Sequence, residues 1–198
     1  MPNETPFQIA LAFSTAAFLA VRAYYRLKTG TLQEVLDSSK DSNMERMLLP
    51  ILGVLVLGML IWLINPARMR WSALALPGWA RWGGAGIVVV ALALLIWVHQ
   101  TLGGNFSSTL KIRERHKLVT AGPYRWVRHP MYSGIFLWAA GVPLITANWF
   151  AILVPAWFAL FFLLRVPDEE KMMIEAFGDK YRDYGKRTGR FWPRRSTQ

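Results

Sequence analysis

A chain of 198 residues that is 54% hydrophobic and only 18% charged carries more apolar surface than an ordinary soluble domain, in which charged residues make up about a quarter. The absence of cysteine excludes a disulfide framework and a thiolate metal site, and no metal is expected. A net charge of +11 would point to nucleic acid in a soluble protein. Here Lys and Arg lie between apolar runs, so membrane topology explains them and no nucleic-acid partner is expected.

The first apolar run, extendable to residues 7–25, follows a leader that contains Glu4 and no basic residue, while Arg22, Arg26 and Lys28 come after it. A cleavable signal has the reverse order, so the run reads as an uncleaved span with its N-terminus outside. The polar stretch that follows contains Thr31-Leu-Gln-Glu34, a capping box that predicts a short helix there. The second span covers 48–64 and ends at Asn65-Pro66. Trp71, Trp79 and Trp82 mark a connector suited to the headgroup belt. The third span covers 83–101 and carries His99, read as a hydrogen-bonded interface residue rather than a ligand. A long polar loop, 102–130, leads to a fourth span at 131–147 and a fifth at 149–164. Only the neighbourhood of Asn148 separates these two, which predicts a tight antiparallel hairpin, with Pro143 and Pro155 as possible kinks. The polar tail, 165–198, offers Pro167 as a helix start with Asp168, Glu169 and Glu170 on its first turn, and Gly178 as an interruption.

The expected architecture is therefore all-α: one polytopic transmembrane domain over 1–198, with about five helices. Five basic residues flank the first span and its connector, six lie in the long loop and nine in the tail. Only Arg68, Arg70 and Arg81 fall on the other side. This asymmetry predicts an external N-terminus and a cytoplasmic C-terminus, and puts the loop and the tail on one face.

Those two segments hold the chemistry. Gly122-Pro123 predicts a turn, and His129-Pro130 ends the loop with proline at the first position of the next helix. That helix start, with Arg125, Arg128 and His129, reads either as an anion site or as a basic loop beside acidic lipid. Arg165 and Glu169 are four apart and share a helix face. A surface pair explains this, but Arg165 lies at the end of an apolar span, where an idle charge is expensive without a partner.

His116 to Gly134 (HKLVTAGPYRWVRHPMYSG) and Arg165 to Tyr184 (RVPDEEKMMIEAFGDKYRDY) resemble the isoprenylcysteine carboxyl methyltransferase family, part of a wider group of membrane methyltransferases that includes phospholipid methyltransferases. The shared pattern is RHPxY, a helical hairpin, an EE pair and FGxxYxxY, and it covers roughly residues 105–193. The resemblance implies S-adenosylmethionine as cofactor and a cytoplasmic cofactor site built from the loop before span 4 and the tail. The family's cofactor positions fall on His116, Lys117, Leu118, Val119, Tyr124, His129, Pro130, Met131 and Tyr132, and a further one aligns with Thr109, where the family has another residue type. Glu169 matches an acidic cofactor contact, and Arg165 matches the arginine for the substrate carboxylate. The implied reaction is O-methylation of an isoprenylcysteine-type carboxylate, with Arg165 and Glu169 as catalytic residues.

A carboxylate acceptor is ionised at neutral pH and needs no general base, whereas an amine acceptor would need one, with Glu169 or Glu170 as candidates. A phospholipid or amine N-methyltransferase is therefore the first alternative. An NADPH-dependent membrane reductase and a non-enzymatic membrane protein are the others. The expected partners are a lipophilic, prenylated or lipid acceptor and membrane lipid. The compact form suggests a prokaryotic cell membrane.

Overall fold

The computed structural model describes residues 3–29, 43–103 and 118–194. The expected capping box at Thr31–Glu34 and the positions Thr109, His116 and Lys117 lie outside the described residues. Among the described residues the protein is helical throughout: α1 (Thr5–Thr29), α2 (Asn43–Ile64), α3 (Gly78–Leu102), α4 (Pro130–Thr146), α5 (Leu153–Phe177) and α6 (Asp179–Arg187). Three single-turn or slightly longer 3-10 segments join them, at Pro66–Ser72, Gly122–Arg125 and Trp149–Ile152.

Three helical stretches are long and apolar enough to cross a membrane, Thr5–Thr29, Gly78–Leu102 and Trp149–Phe177; Leu48–Ile64 and Pro130–Thr146 are shorter apolar helices. Seventeen residues of helix reach about 26 Å, against about 30 Å of hydrocarbon. Large apolar side chains such as Phe13, Val54, Val89 and Leu163 stand exposed on the outer faces, as lipid-facing residues must. This is a helical membrane protein.

Helices α3 and α4 form the centre. Their backbones approach at Gly84 and Gly141, where a Cβ built on Gly141 would stand 2.7 Å from Val88 and 2.8 Å from the Gly84 carbonyl. Small residues at such a crossing let dispersion contacts form along the full length, which is the main source of helix affinity in lipid. Gly141→Val is expected to lose about 1–3 kcal/mol through overpacking. Gly53, whose Cβ would meet nothing within 4 Å, is expected to gain slightly as alanine. Thermal melting of the two variants in detergent checks both.

Helix α1 lays Phe7, Leu11 and Ser14 against this pair, and Phe18 stacks on Trp138 with ring centroids 4.4 Å apart. Helix α2 contributes the buried stripe Leu55 and Trp62. Arg81, counted from sequence among the external charges, is 3% exposed. Its Nε donates to the Ile145 carbonyl at 3.0 Å, both terminal nitrogens pair with Glu4, and its guanidinium lies 3.5 Å over the Phe7 ring.

The expected tight hairpin forms, but the fifth helix does not start at residue 149. Ala147 adopts the left-handed conformation (φ 47°), the Asn148 side chain accepts from the Phe150 amide at 2.9 Å, and a 3-10 turn intervenes before Leu153. Pro155 therefore falls in the first turn of α5, where no amide is needed. The second difference is Pro167. It does not open a new helix; α5 runs through it to Phe177. The carbonyl deprived of a donor is that of Leu163, one turn back, and the helix continues in spite of it. The break comes where the sequence places Gly178 (φ 56°), and α6 turns away from there. His99 hydrogen-bonds through Nδ1 to the Leu95 carbonyl at 2.7 Å.

Candidate active site

The α3–α4 loop and the tail meet at one end of the bundle. Gly122 takes a positive φ of 55° and opens the 3-10 turn Gly122–Arg125 that the Gly-Pro pair predicts. Three backbone bonds then pair the loop with the tail: Gly189 N–H to the Trp126 carbonyl (3.1 Å), Arg128 N–H to Gly189 (2.8 Å) and His129 N–H to Arg190 (3.0 Å). The Tyr184 hydroxyl donates to the Tyr124 carbonyl at 2.6 Å, and the Ser133 hydroxyl to Phe191 at 2.7 Å. Burial pushes the Tyr184 hydroxyl up to about 12, so it remains a donor at any physiological pH. The tail is thus strapped across the loop, and α4 begins with Pro130 directly behind it.

Arg128 serves this strap. Its Nε donates to Glu170 Oε1 at 2.9 Å and its Nη1 to the Gly185 and Thr188 carbonyls. Arg190 reaches the other oxygen of Glu170 at 2.7 Å. Burial alone would raise the Glu170 carboxyl, but polar contacts from His129, Arg128 and Arg190 outweigh it and hold the group at about 2. Two expectations change here. Arg128 is engaged and does not offer its charge to an external anion, and Glu170 is a poor candidate for a general base. Neither partner could be read from the chain, because 42 residues separate Arg128 from Glu170.

The other carboxylate differs. Glu169 Oε2 accepts from the Tyr132 hydroxyl at 2.7 Å and lies 3.8 Å from His129 Nδ1. Its side chain is 31% exposed. The Arg165 guanidinium lies against the same Tyr132 hydroxyl and 5.7 Å over the Phe161 ring. Tyr124 comes within electrostatic reach of Glu169, and burial first, then that carboxylate, push its hydroxyl well above the ordinary range. Tyr132 is itself held by stacking on His129 (5.6 Å) and Phe162 (4.4 Å). So Tyr124, His129, Tyr132, Arg165 and Glu169 converge. Pro130 starts the helix that carries Tyr132, and Met131 points to the α1 side, where its sulfur meets Arg22 Nη1 at 3.0 Å.

Leu118 stands apart from that cluster. It lines a cleft of about 600 Å³ with Thr120, Phe177, Lys180, Asp183, Tyr184 and Arg187; Val119, next to it, is half-buried. Tyr184 connects the two places, with its ring in the cleft wall and its hydroxyl on the Tyr124 carbonyl. Among the described residues no group of three His, Cys, Asp or Glu side chains is arranged to hold a metal ion.

Residues 84–175 match the model of the isoprenylcysteine carboxyl methyltransferase family. Curated relatives include protein-S-isoprenylcysteine O-methyltransferase B of Arabidopsis thaliana, 40% identical over 92 residues, which are 44% of this chain and 46% of that protein. The Dictyostelium discoideum protein-S-isoprenylcysteine O-methyltransferase is 35% identical over 108 residues, 53% of this chain and 46% of that one. The Rattus norvegicus enzyme is 34% identical over 122 residues, 59% and 42%. The chain thus matches less than half the length of these relatives. A solved structure of a eukaryotic intramembrane Ras methyltransferase, isoprenylcysteine carboxyl methyltransferase, superposes with a TM-score of 0.64 at 24% identity, over 95% of this chain and 67% of that one; this likeness shows the fold. Across residues 84–175, which carry all the predicted site residues described above, the chain is similar to the isoprenylcysteine carboxyl methyltransferase family.

Proposed function

We propose that the protein is an S-adenosylmethionine-dependent methyltransferase of a lipophilic carboxylate, of the isoprenylcysteine type, forming a methyl ester. The observation that carries this reading is the convergence of Tyr124, His129, Tyr132, Arg165 and Glu169 within the family-matching segment. The curated relatives carry the name protein-S-isoprenylcysteine O-methyltransferase, which supports the acceptor class.

The residues suit such a cofactor. Glu169 Oε1 has no protein partner among the described residues, and its carboxylate is partly exposed beside aromatic rings. A free carboxylate oxygen takes a ribose hydroxyl or an ammonium group, and ring faces favour a cation. The adjoining cleft of about 600 Å³ lies within the usual range for small-molecule sites. When bound, S-adenosylmethionine supplies an electrophilic methyl group on a sulfonium. The protein's part is placement. Glu169 and the His129 region hold the donor, and Tyr132 fixes Glu169 through its hydrogen bond. Arg165 orients the acceptor carboxylate by pairing with one oxygen and leaving the other to attack. In-line alignment at close range supplies much of the rate in such a displacement. No proton moves, since the acceptor is already ionised.

The apolar tail of the acceptor enters from the bilayer between helices. The soluble cofactor enters from the face that bears the loop and the tail. That face is cytoplasmic in this reading, with the N-terminus outside, following the distribution of Lys and Arg. The five apolar stretches, the two shorter ones included, all cross in this arrangement.

Calorimetric titration of the detergent-purified protein with S-adenosylmethionine or its demethylated product tests the reading. Submillimolar binding is expected, with Glu169→Ala and His129→Ala each weakening it about tenfold or more, the loss of a charge-assisted contact. No binding to the folded wild type would overturn it.

A further inference from the structure

The buried stripe of α1 changes character along its length. Phe7, Leu11, Ser14 and Phe18 face the bundle, and the next two positions on that face are Arg22 and Arg26. Both are half-buried. Arg22 Nη1 spends itself on the Met131 sulfur, a weak acceptor. Arg26 Nε is shut off from solvent and has no hydrogen-bond partner among the described residues. Both guanidinium groups lie within electrostatic reach of His99 on α3, and of each other, while Tyr25 packs on the His99 ring at 4.5 Å. Among the described residues no carboxylate stands within ion-pair distance of Arg22 or Arg26.

Two like charges four apart on a helix repel, and a sheltered guanidinium without an anion is costly because arginine does not discharge by losing its proton. Among the described residues nothing supplies the anion that would complete the arrangement between α1 and α3. The surroundings say where that anion comes from. Leu19, Tyr24 and Leu27 on the neighbouring faces of α1 are 59%, 57% and 66% exposed, and Lys28 sits 5.8 Å over the Tyr24 ring. Apolar surface, an aromatic rim and cations in that order trace the boundary between acyl chains and headgroups, and basic pockets between membrane helices bind lipid phosphates.

We infer that Arg22 and Arg26 form a binding site for the phosphate of an anionic membrane phospholipid, seated between α1 and α3 beside His99 and Met131. The two arginines lie outside the family-matching segment, on its α1 side, and would hold lipid whether or not the loop holds a methyl donor.

Native mass spectrometry of the full chain in detergent tests this, with dioleoylphosphatidylglycerol and dioleoylphosphatidylcholine titrated separately and sodium phosphate as a third arm. The wild type is expected to bind phosphatidylglycerol at least tenfold more tightly than phosphatidylcholine. In Arg22→Gln/Arg26→Gln that preference should fall to threefold or less. It should persist in Arg68→Gln/Arg70→Gln, whose charges sit at the other end of the bundle. Should the double variant fail to fold, Arg26→Gln alone is expected to lower the preference about threefold. An unchanged preference in the folded Arg22/Arg26 variants overturns the assignment. Displacement of the lipid by phosphate at equal concentration overturns the lipid as its source.

Discussion

Arg165→Ala is expected to lower the turnover number for methyl ester formation by about 100-fold, the usual effect of letting a reactant shift by about 1 Å from its in-line position. Affinity for the methyl donor is expected to stay within about threefold of wild type. The asymmetry follows from where the side chain lies. Arg165 touches the Tyr132 hydroxyl and the Phe161 ring, whereas Glu169, one turn further along α5, meets His129 and Tyr132. The first position suits the acceptor, and the second suits the donor. Arg165→Lys keeps a charge but loses the fork that grips a carboxylate, and should recover only part of the rate. Base-labile methyl incorporation into a farnesylcysteine analogue, with donor binding measured beside it, separates the two effects. A parallel loss of rate and donor affinity would move Arg165 out of the acceptor site.

The second large effect is on stability. Glu170→Ala is expected to cost about 3 kcal/mol, because it leaves the Arg128 guanidinium, 12% exposed, facing only backbone carbonyls. Arg190→Ala removes a partner that is 55% exposed and should cost under about 1 kcal/mol. The pH dependence has a definite sign. The Glu170 carboxyl is held at about 2 against an ordinary 4.5. Its contribution is therefore complete above about pH 4.5 and is lost as the pH falls from there toward 2. Melting curves of wild type and Glu170→Gln across that interval should converge in acid and separate above it.

The chain itself announces much of this. Apolar runs, the distribution of basic residues and the proline after His129 locate the helices and the loop between α3 and α4. Gly122 and Gly178 mark two real turns, because only glycine takes their positive φ cheaply. The convergence around Glu169 follows from recognisable motifs. What stays hidden is partnership across distance. Composition shows Arg128 as a free cation, since nothing local announces that residues 170, 185 and 188 will surround it. Pro167 reads as a helix start because proline favours that position, and nothing local says that packing carries α5 through it. Arg81 reads as a surface charge because Glu4, its partner, lies 77 residues away.

The strap made by residues 184–191 across the loop also has a meaning in time. Every apolar helix leaves the ribosome before that strap does, so the bundle can insert and pack while its loop still lacks the Gly189 and Arg190 backbone that pairs with it. The paired form of the loop thus arises only once residue 190 has been translated. A message cut short after α5 would yield helices able to insert but a loop without its partner, and the methyl transfer proposed above would act as a built-in check that synthesis had run on past Phe191.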